Sequence, residues 1–272
     1  MLIGCDFSSS PSKRKPIVLA VGQAIDRQVR LLRIETFETL NDFGHWMAQT
    51  ADWVGGFDLP FGLPRELVET LGWPREWLQC IHHYANLSRE QIRGEFSGFC
   101  NARPVGAKFA HRQTDGPAGS SPSMKWVNPP VAFMMHAGVP LLIQAGVSLP
   151  GLHAADPRRV ALEAYPGLLA REILGRRSYK SDDKAKQNTD RLLARKDILS
   201  ALERGQTRLQ LRLKLSTILS EKLVHDPSGD ALDAALCLMQ AAWAVQPEQR
   251  HATANGFGLP DFDPLEGWIL SA

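Results

Sequence analysis

The chain has 272 residues, 44% hydrophobic and 22% charged, with a formal net charge of +2. That size and apolar content bury a substantial core and exclude a disordered or low-complexity protein. No apolar run approaches the roughly 18 residues a membrane-spanning helix needs, so no membrane partner is expected. The charge is unevenly spread: residues 158–222 hold 16 Lys and Arg against 8 Asp and Glu, a net +8, which leaves the remainder at −6. Four Cys, at 5, 80, 100 and 237, show no CxxC pairing and read as reduced core residues of a cytoplasmic protein. The apolar stretch after Met1 ends at Asp6, so no signal peptide is expected.

In chain order, three β-type segments at 2–7, 16–22 and 28–37 are joined by short loops and predict a meander. A helix over 38–50, with Leu40, Phe43 and Met47 on one face, leads into a buried strand closing at Asp58. Pro64 and Pro74 suit first helical positions and Gly72 a helix stop, which gives helices over 64–71 and 74–87. Residues 94–130, rich in Gly, Pro and Ser, predict a long irregular excursion. An apolar helix over 129–145, a strand over 160–164 and a helix over 167–174 follow, and 187–223 is helical by pattern. The last helix has Asp226 as N-cap, Pro227 at its first position and a stripe of Leu232, Ala235, Leu236, Met239 and Trp243, ending before Pro247. One domain is expected, with insertions at about 64–150 and 176–223.

Acids close or open several of these elements. Asp6 ends Met1-Leu-Ile-Gly-Cys-Asp6, Asp58 ends Trp53-Val-Gly-Gly-Phe-Asp58, and Glu163 sits in an apolar strand before Ala-Tyr-Pro. Asp230 and Asp233 are three apart on one face of the last helix, away from its apolar stripe. Taken singly, helix-dipole complementation accounts for the last pair and turn initiation for Asp58. Together they predict converging carboxylates within about 8 Å, the span that two metal ions about 3.5 to 4 Å apart bridge. Hard oxygen ligands suit Mg²⁺ or Mn²⁺, and two such ions serve phosphodiester hydrolysis.

The motifs Ile3-Gly-Cys-Asp6, Phe57-Asp58-Leu-Pro-Phe-Gly-Leu-Pro, Glu163-Ala-Tyr-Pro and Asp226-Pro-Ser-Gly-Asp230-Ala-Leu-Asp233 span nearly the whole chain. Their order resembles the ribonuclease H-like superfamily, and more closely the family called domain of unknown function 429, predicted ribonuclease H-like nucleases distantly similar to Holliday-junction resolvases. The resemblance implies an α/β fold: a five-stranded mixed sheet, its second strand antiparallel, with helices on both faces. It implies Asp6, Asp58, Asp230 and Asp233 as metal ligands and catalytic residues, and Glu163 as a catalytic residue from the family's Glu-x-x-Pro motif. It supplies no substrate.

Lys108, His111 and Arg112 in one loop, and Tyr179, Lys180 and Lys184 in another, mix cations with hydrogen-bonding groups and suit oriented phosphate contacts. The loops at 101–125 and 176–186 are expected to flank the acids. His111 is also a candidate proton donor to a leaving group, against the commoner structural role of a lone His. Ser8 to Ser10 with Lys13, Arg14 and Lys15 follow Asp6 and are a further phosphate candidate, set against a solvated hairpin. Cys80, His82 and His83 diverge on a helix without a second ligand pair and do not predict zinc. The leading expectation is a divalent-metal nuclease acting on DNA or RNA. Its alternatives are an actin-like ATP-dependent phosphotransferase, which lacks its glycine-rich phosphate turn here because Phe7-Ser-Ser-Ser stands in that place, and a non-catalytic scaffold that binds nucleic acid or a protein.

Overall fold

The strands β1 (Leu2–Asp6), β2 (Ile17–Ile25) and β3 (Gln28–Phe37) form the expected antiparallel meander in a computed structural model that describes residues 1–250 and 253–272. Helix α1 (Leu40–Gln49), capped by the Thr39 side chain on the Asp42 amide, returns the chain to β4 (Trp53–Asp58), which pairs parallel to β1. Four helices then cover one face: α2 (Arg65–Thr70), α3 (Trp77–Asn86), α4 (Arg89–Asn101) and, after the short α5 (Asp115–Ala118), α6 (Val131–Gln144). A two-residue edge strand β5 (Val147–Ser148) precedes β6 (Asp156–Glu163), parallel to β4. The other face receives α7 (Pro166–Leu174), α8 (Thr189–Arg204), α9 (Thr217–His225) and α10 (Asp230–Ala244), with β7 (Arg212–Lys214) added parallel to β3.

The result is an α/β protein with a seven-stranded mixed sheet in the order β5-β6-β4-β1-β2-β3-β7, not the five strands expected. The two extra strands are two- and three-residue edge pieces, too short to carry a period-2 pattern. The helix expected over 187–223 is broken because Gly205 takes a left-handed conformation (φ 72°) and caps α8, which frees the next residues to pair with β3. The irregular excursion expected at 94–130 is helical to Asn101. Ser88 and Gln91 form a capping box there, and the misleading Gly94 and Gly98 stand on an open face where a Cβ would meet nothing within 4 Å.

Side-chain alternation decides what each face of the sheet carries. Ile3 and Cys5 of β1 and Phe57 of β4 point into the core under α1 to α6. Leu2 points to the opposite core, under α7 to α10. On that second side α10 packs on bare backbone. A Cβ on Gly4 would lie 2.1 Å from the Ala234 carbonyl oxygen, and one on Gly56 would lie 2.5 Å from the Cys237 carbonyl oxygen. Six alanines within α10 complete the close approach, and every residue of the helix except Trp243 is buried. The single stripe expected of it is therefore replaced by burial all round. The helix also begins later than expected, at Asp230. Asp226 accepts from the Ser228 and Ala231 amides, which closes a turn that leaves Gly229 (φ 77°) as N-cap and Pro227 outside. Among the described residues no helix is long and apolar enough to cross a membrane, and all four Cys are free and buried.

Candidate functional site

Asp6 and Asp58 are the last residues of two adjacent parallel strands and are Cα partners in register. Neighbouring strands lie about 4.8 Å apart, so the two carboxylates leave the sheet side by side. Both share parity with the glycines beneath α10, and so both face that helix. Asp230 and Asp233 occupy its first turn, buried, and their charges act on Asp6. Four carboxylates thus gather where the C-terminal strand ends meet the N-terminus of α10.

The environment of this cluster is dry and short of positive charge. Burial, then the charges of Asp233 and Asp230, push the Asp6 carboxyl well above the ordinary range. Burial and Asp233 raise Asp58 to about 7. No hydrogen bond from the described residues supports either group in its ionised form. The other two acids are held. The Tyr179 hydroxyl donates to Asp233 Oδ1 at 2.6 Å, the Lys180 ammonium donates to Oδ2, and Lys15 Nζ donates to Asp230 Oδ1 at 2.7 Å and to Asp182 at 3.2 Å. Burial opposes the Lys180 ammonium, but Asp233 outweighs it and holds its pKa well above the usual value. Tyr179 and Lys180 are seated against the start of α10, where a Cβ on Gly229 would lie 2.8 Å from Lys180 Cβ. The Ser181 amide donates to the Pro227 carbonyl at 3.1 Å.

Glu163 does not join the four aspartates. Its register partner is Phe57, one residue short of Asp58, so its side chain leaves the sheet on the opposite face. There Arg112 donates to Oε1 at 2.7 Å and Oε2 at 2.8 Å, and the Phe61 amide donates to Oε2 at 2.9 Å. Arg112 is itself buried. Its remaining donors go to Asp115 and the Glu266 carbonyl, which leaves it none to offer a phosphate. The expected phosphate ligand is therefore a structural clamp joining β6, the loop before α5 and the C-terminal segment. Lys108 and His111 are exposed on that same loop, outside the residues that line the cavities beside the acids.

Two cavities flank the cluster. One, of about 410 Å³, starts at Asp58, Tyr179 and Lys180 and runs between α6 and α7. The other, also about 410 Å³, is lined by Arg14, Lys15 and Lys184 with Asp182, Asp226 and Ser228. The loop after Asp6 and the segment at 176–186 therefore lie beside the acids, with Lys15 on Asp230, Lys180 on Asp233 and Lys184 at the second cavity. The role of Lys15 as partner of Asp230 has no local sequence signal, since the two are 215 residues apart.

Four carboxylates on rigid elements, two of them without a hydrogen-bond partner among the described residues, supply the oxygen chemistry that suits a hard divalent cation. Even so, among the described residues no three His, Cys, Asp or Glu side chains stand arranged as a ligand group, and Lys15 and Lys180 hold Asp230 and Asp233. A cation held by all four carboxylates would have to displace these ammonium groups. Comparison with family models, with curated proteins and with solved structures finds no match for this chain.

Proposed function

We propose that the aspartate cluster is a divalent-metal site for phosphodiester hydrolysis and that the protein is a nuclease. The observation that carries this is the in-register pair Asp6 and Asp58, desolvated, without hydrogen-bond donors among the described residues, and facing Asp230 and Asp233. The meander, the crossover through α1 and the parallel β4 and β6 are consistent with the resemblance to ribonuclease H-like nucleases drawn from the sequence motifs. Asp6 and Asp58, with Asp230 and Asp233, are the proposed ligands of Mg²⁺ or Mn²⁺. Such ions lower the pKa of a bound water and offset charge on the scissile phosphate. With metal at the aspartates, Lys15 and Lys180 would be free to donate to phosphate oxygens, and Arg14 and Lys184, which line the adjoining groove, would hold the strand.

The test is Mn²⁺-dependent cleavage of labelled single-stranded and duplex DNA and RNA by wild type and Asp6→Asn. Binding is followed with Ca²⁺ in place of Mg²⁺ across a salt series. Cleavage lost in Asp6→Asn is expected, with binding that weakens by a log-log slope of roughly 0.7 to 0.9 per phosphate contacted. Binding weaker still is expected in the double variant Lys180→Ala, Lys184→Ala. No Mn²⁺ binding and no cleavage overturns the proposal. One observation favours a second reading: Lys15 and Lys180 already neutralise two of the four acids without metal, as a non-catalytic scaffold requires.

A further inference from the structure

The cleft that opens at Asp58 differs in chemistry from the basic groove on the other side of the acids. Its walls are mainly apolar: Leu59 and Pro60 after β4, Val131 and Met134 of α6, Ala170 of α7, and Ile269. Arg112 and Glu163 stand buried at its wall and compensate each other, so the pair presents little net charge to a ligand. A volume of about 410 Å³ falls within the roughly 300–1,000 Å³ typical of small-ligand sites.

One side of the cleft is a fixed aromatic surface. The Arg171 guanidinium lies 5.2 Å from the centre of the Tyr165 ring, and its NH1 donates to the Tyr165 hydroxyl at 3.2 Å. The same guanidinium donates through NH2 to the Ala118 carbonyl. Gly167 makes room for the ring, since a Cβ there would come within 2.6 Å of it. Aromatic and guanidinium planes of this kind stack on nucleobases. Lys180 and Asp58, beside which the proposed phosphate chemistry sits, line the same cleft. A ligand suited to both surfaces has a flat, largely apolar part and an anionic part, which describes a nucleotide.

We infer that this cleft receives one unpaired nucleobase of a nucleic-acid strand, stacked on Tyr165 and Arg171 among the apolar walls, while the phosphate of that nucleotide is carried at the aspartates. The inference rests on the phosphodiesterase reading for the strand's position, and it narrows the substrate class to single strands or to duplex sites whose base is extruded, since a paired base is inaccessible.

Two arms test it separately from cleavage. In the first, the four nucleoside 5′-monophosphates and ribose 5-phosphate are titrated with Ca²⁺ into wild type, Val131→Trp and Met134→Trp. Val131 and Met134 are both half-buried at the cleft wall, so a large ring there fills the cavity with little disturbance of the core. At least one nucleotide is expected to bind 10-fold or more tighter than ribose 5-phosphate in wild type, and either substitution is expected to erase that preference. In the second, Asp6→Asn is titrated with oligonucleotides carrying an abasic site moved position by position. One register is expected to lose about 10-fold in affinity, as a single stacked base contributes. Ribose 5-phosphate binding as tightly as every nucleotide, no binding of any of them, or a preference that survives both tryptophan substitutions overturns the inference. Base-dependent binding without cleavage under any metal keeps the base site and removes the nuclease reading. Cleavage indifferent to abasic position and to the tryptophans does the reverse.

Discussion

Asp6 and Asp58 stand opposite each other in register on adjacent parallel strands, and both carboxylates face the first turn of α10. A buried Asp6 and a half-buried Asp58 so placed repel each other and Asp233, and metal-free folding holds them together at a cost. Asp6→Asn is therefore expected to reduce metal-dependent hydrolysis by about 100-fold or more, the scale on which removal of one transition-state stabilising group acts. The metal-free Tm of the variant is expected to be unchanged or higher, by about 2–4 °C for each kcal/mol of repulsion relieved. Thermal denaturation in chelator and single-turnover cleavage check the two halves. A variant that melts several degrees lower identifies Asp6 as structural.

The raised pKa of Asp58 fixes a pH dependence. Its folded value, about 7, lies above the unfolded value of about 3.9, so the folded protein binds this proton more tightly. The linked stability is present at low pH and lost as pH rises between those two values. Asp58→Asn cannot titrate. The Tm of the variant relative to wild type is expected to climb from pH 4.5 to pH 8 in chelator, and Mn²⁺ is expected to raise wild type alone. A difference that stays flat across that window removes the repulsion argument.

Lys180 compensates the fully buried Asp233, while its own side chain is 40% exposed. Lys180→Ala leaves Asp233 with the Tyr179 hydroxyl as its one remaining side-chain donor. The expected cost is about 1–2 kcal/mol at pH 8, toward the low side of the range for an unsatisfied buried group because Tyr179 remains. The cost is expected to be smaller at pH 5 than at pH 8, the direction set by burial, which raises the Asp233 carboxyl, and Mn²⁺ binding is expected to tighten because no ammonium competes for the site. Denaturant titrations at the two pH values and isothermal titration with Mn²⁺ measure this. An Mn²⁺ affinity weaker than that of wild type contradicts displacement of Lys180 by metal.

Arg112 holds Glu163 and Asp115 together inside the protein. Arg112→Ala leaves both acids buried without their cation, and a loss of about 3–5 kcal/mol is expected. Arg112→Lys restores little of it, because an ammonium cannot replace the guanidinium fork that spans both carboxylates. Thermal denaturation ranks the three proteins, and nucleic-acid affinity of the folded fraction is expected to stay unchanged. Reduced affinity with an unchanged Tm assigns Arg112 to the substrate instead.

The sequence by itself determined the strands that carry the site. Short apolar runs ended by Asp6 and Asp58, the meander preceding α1, and the Pro166 start of α7 are local patterns, and local patterns survive without tertiary context. The spacing of Asp230 and Asp233 was likewise legible, because i and i+3 share a helix face. Tertiary structure alone decided which acids meet. Glu163 ends a strand as plainly as Asp58 does, yet the β4–β6 register sets it opposite Phe57 and turns its carboxylate to the other face, where Arg112, 51 residues away in the chain, takes it. Register is a property of paired strands, not of either strand alone. The positions of Lys15 on Asp230 and Lys180 on Asp233 likewise depend on the approach of α10 to Gly4 and Gly56, a backbone contact that exists only once the sheet has formed.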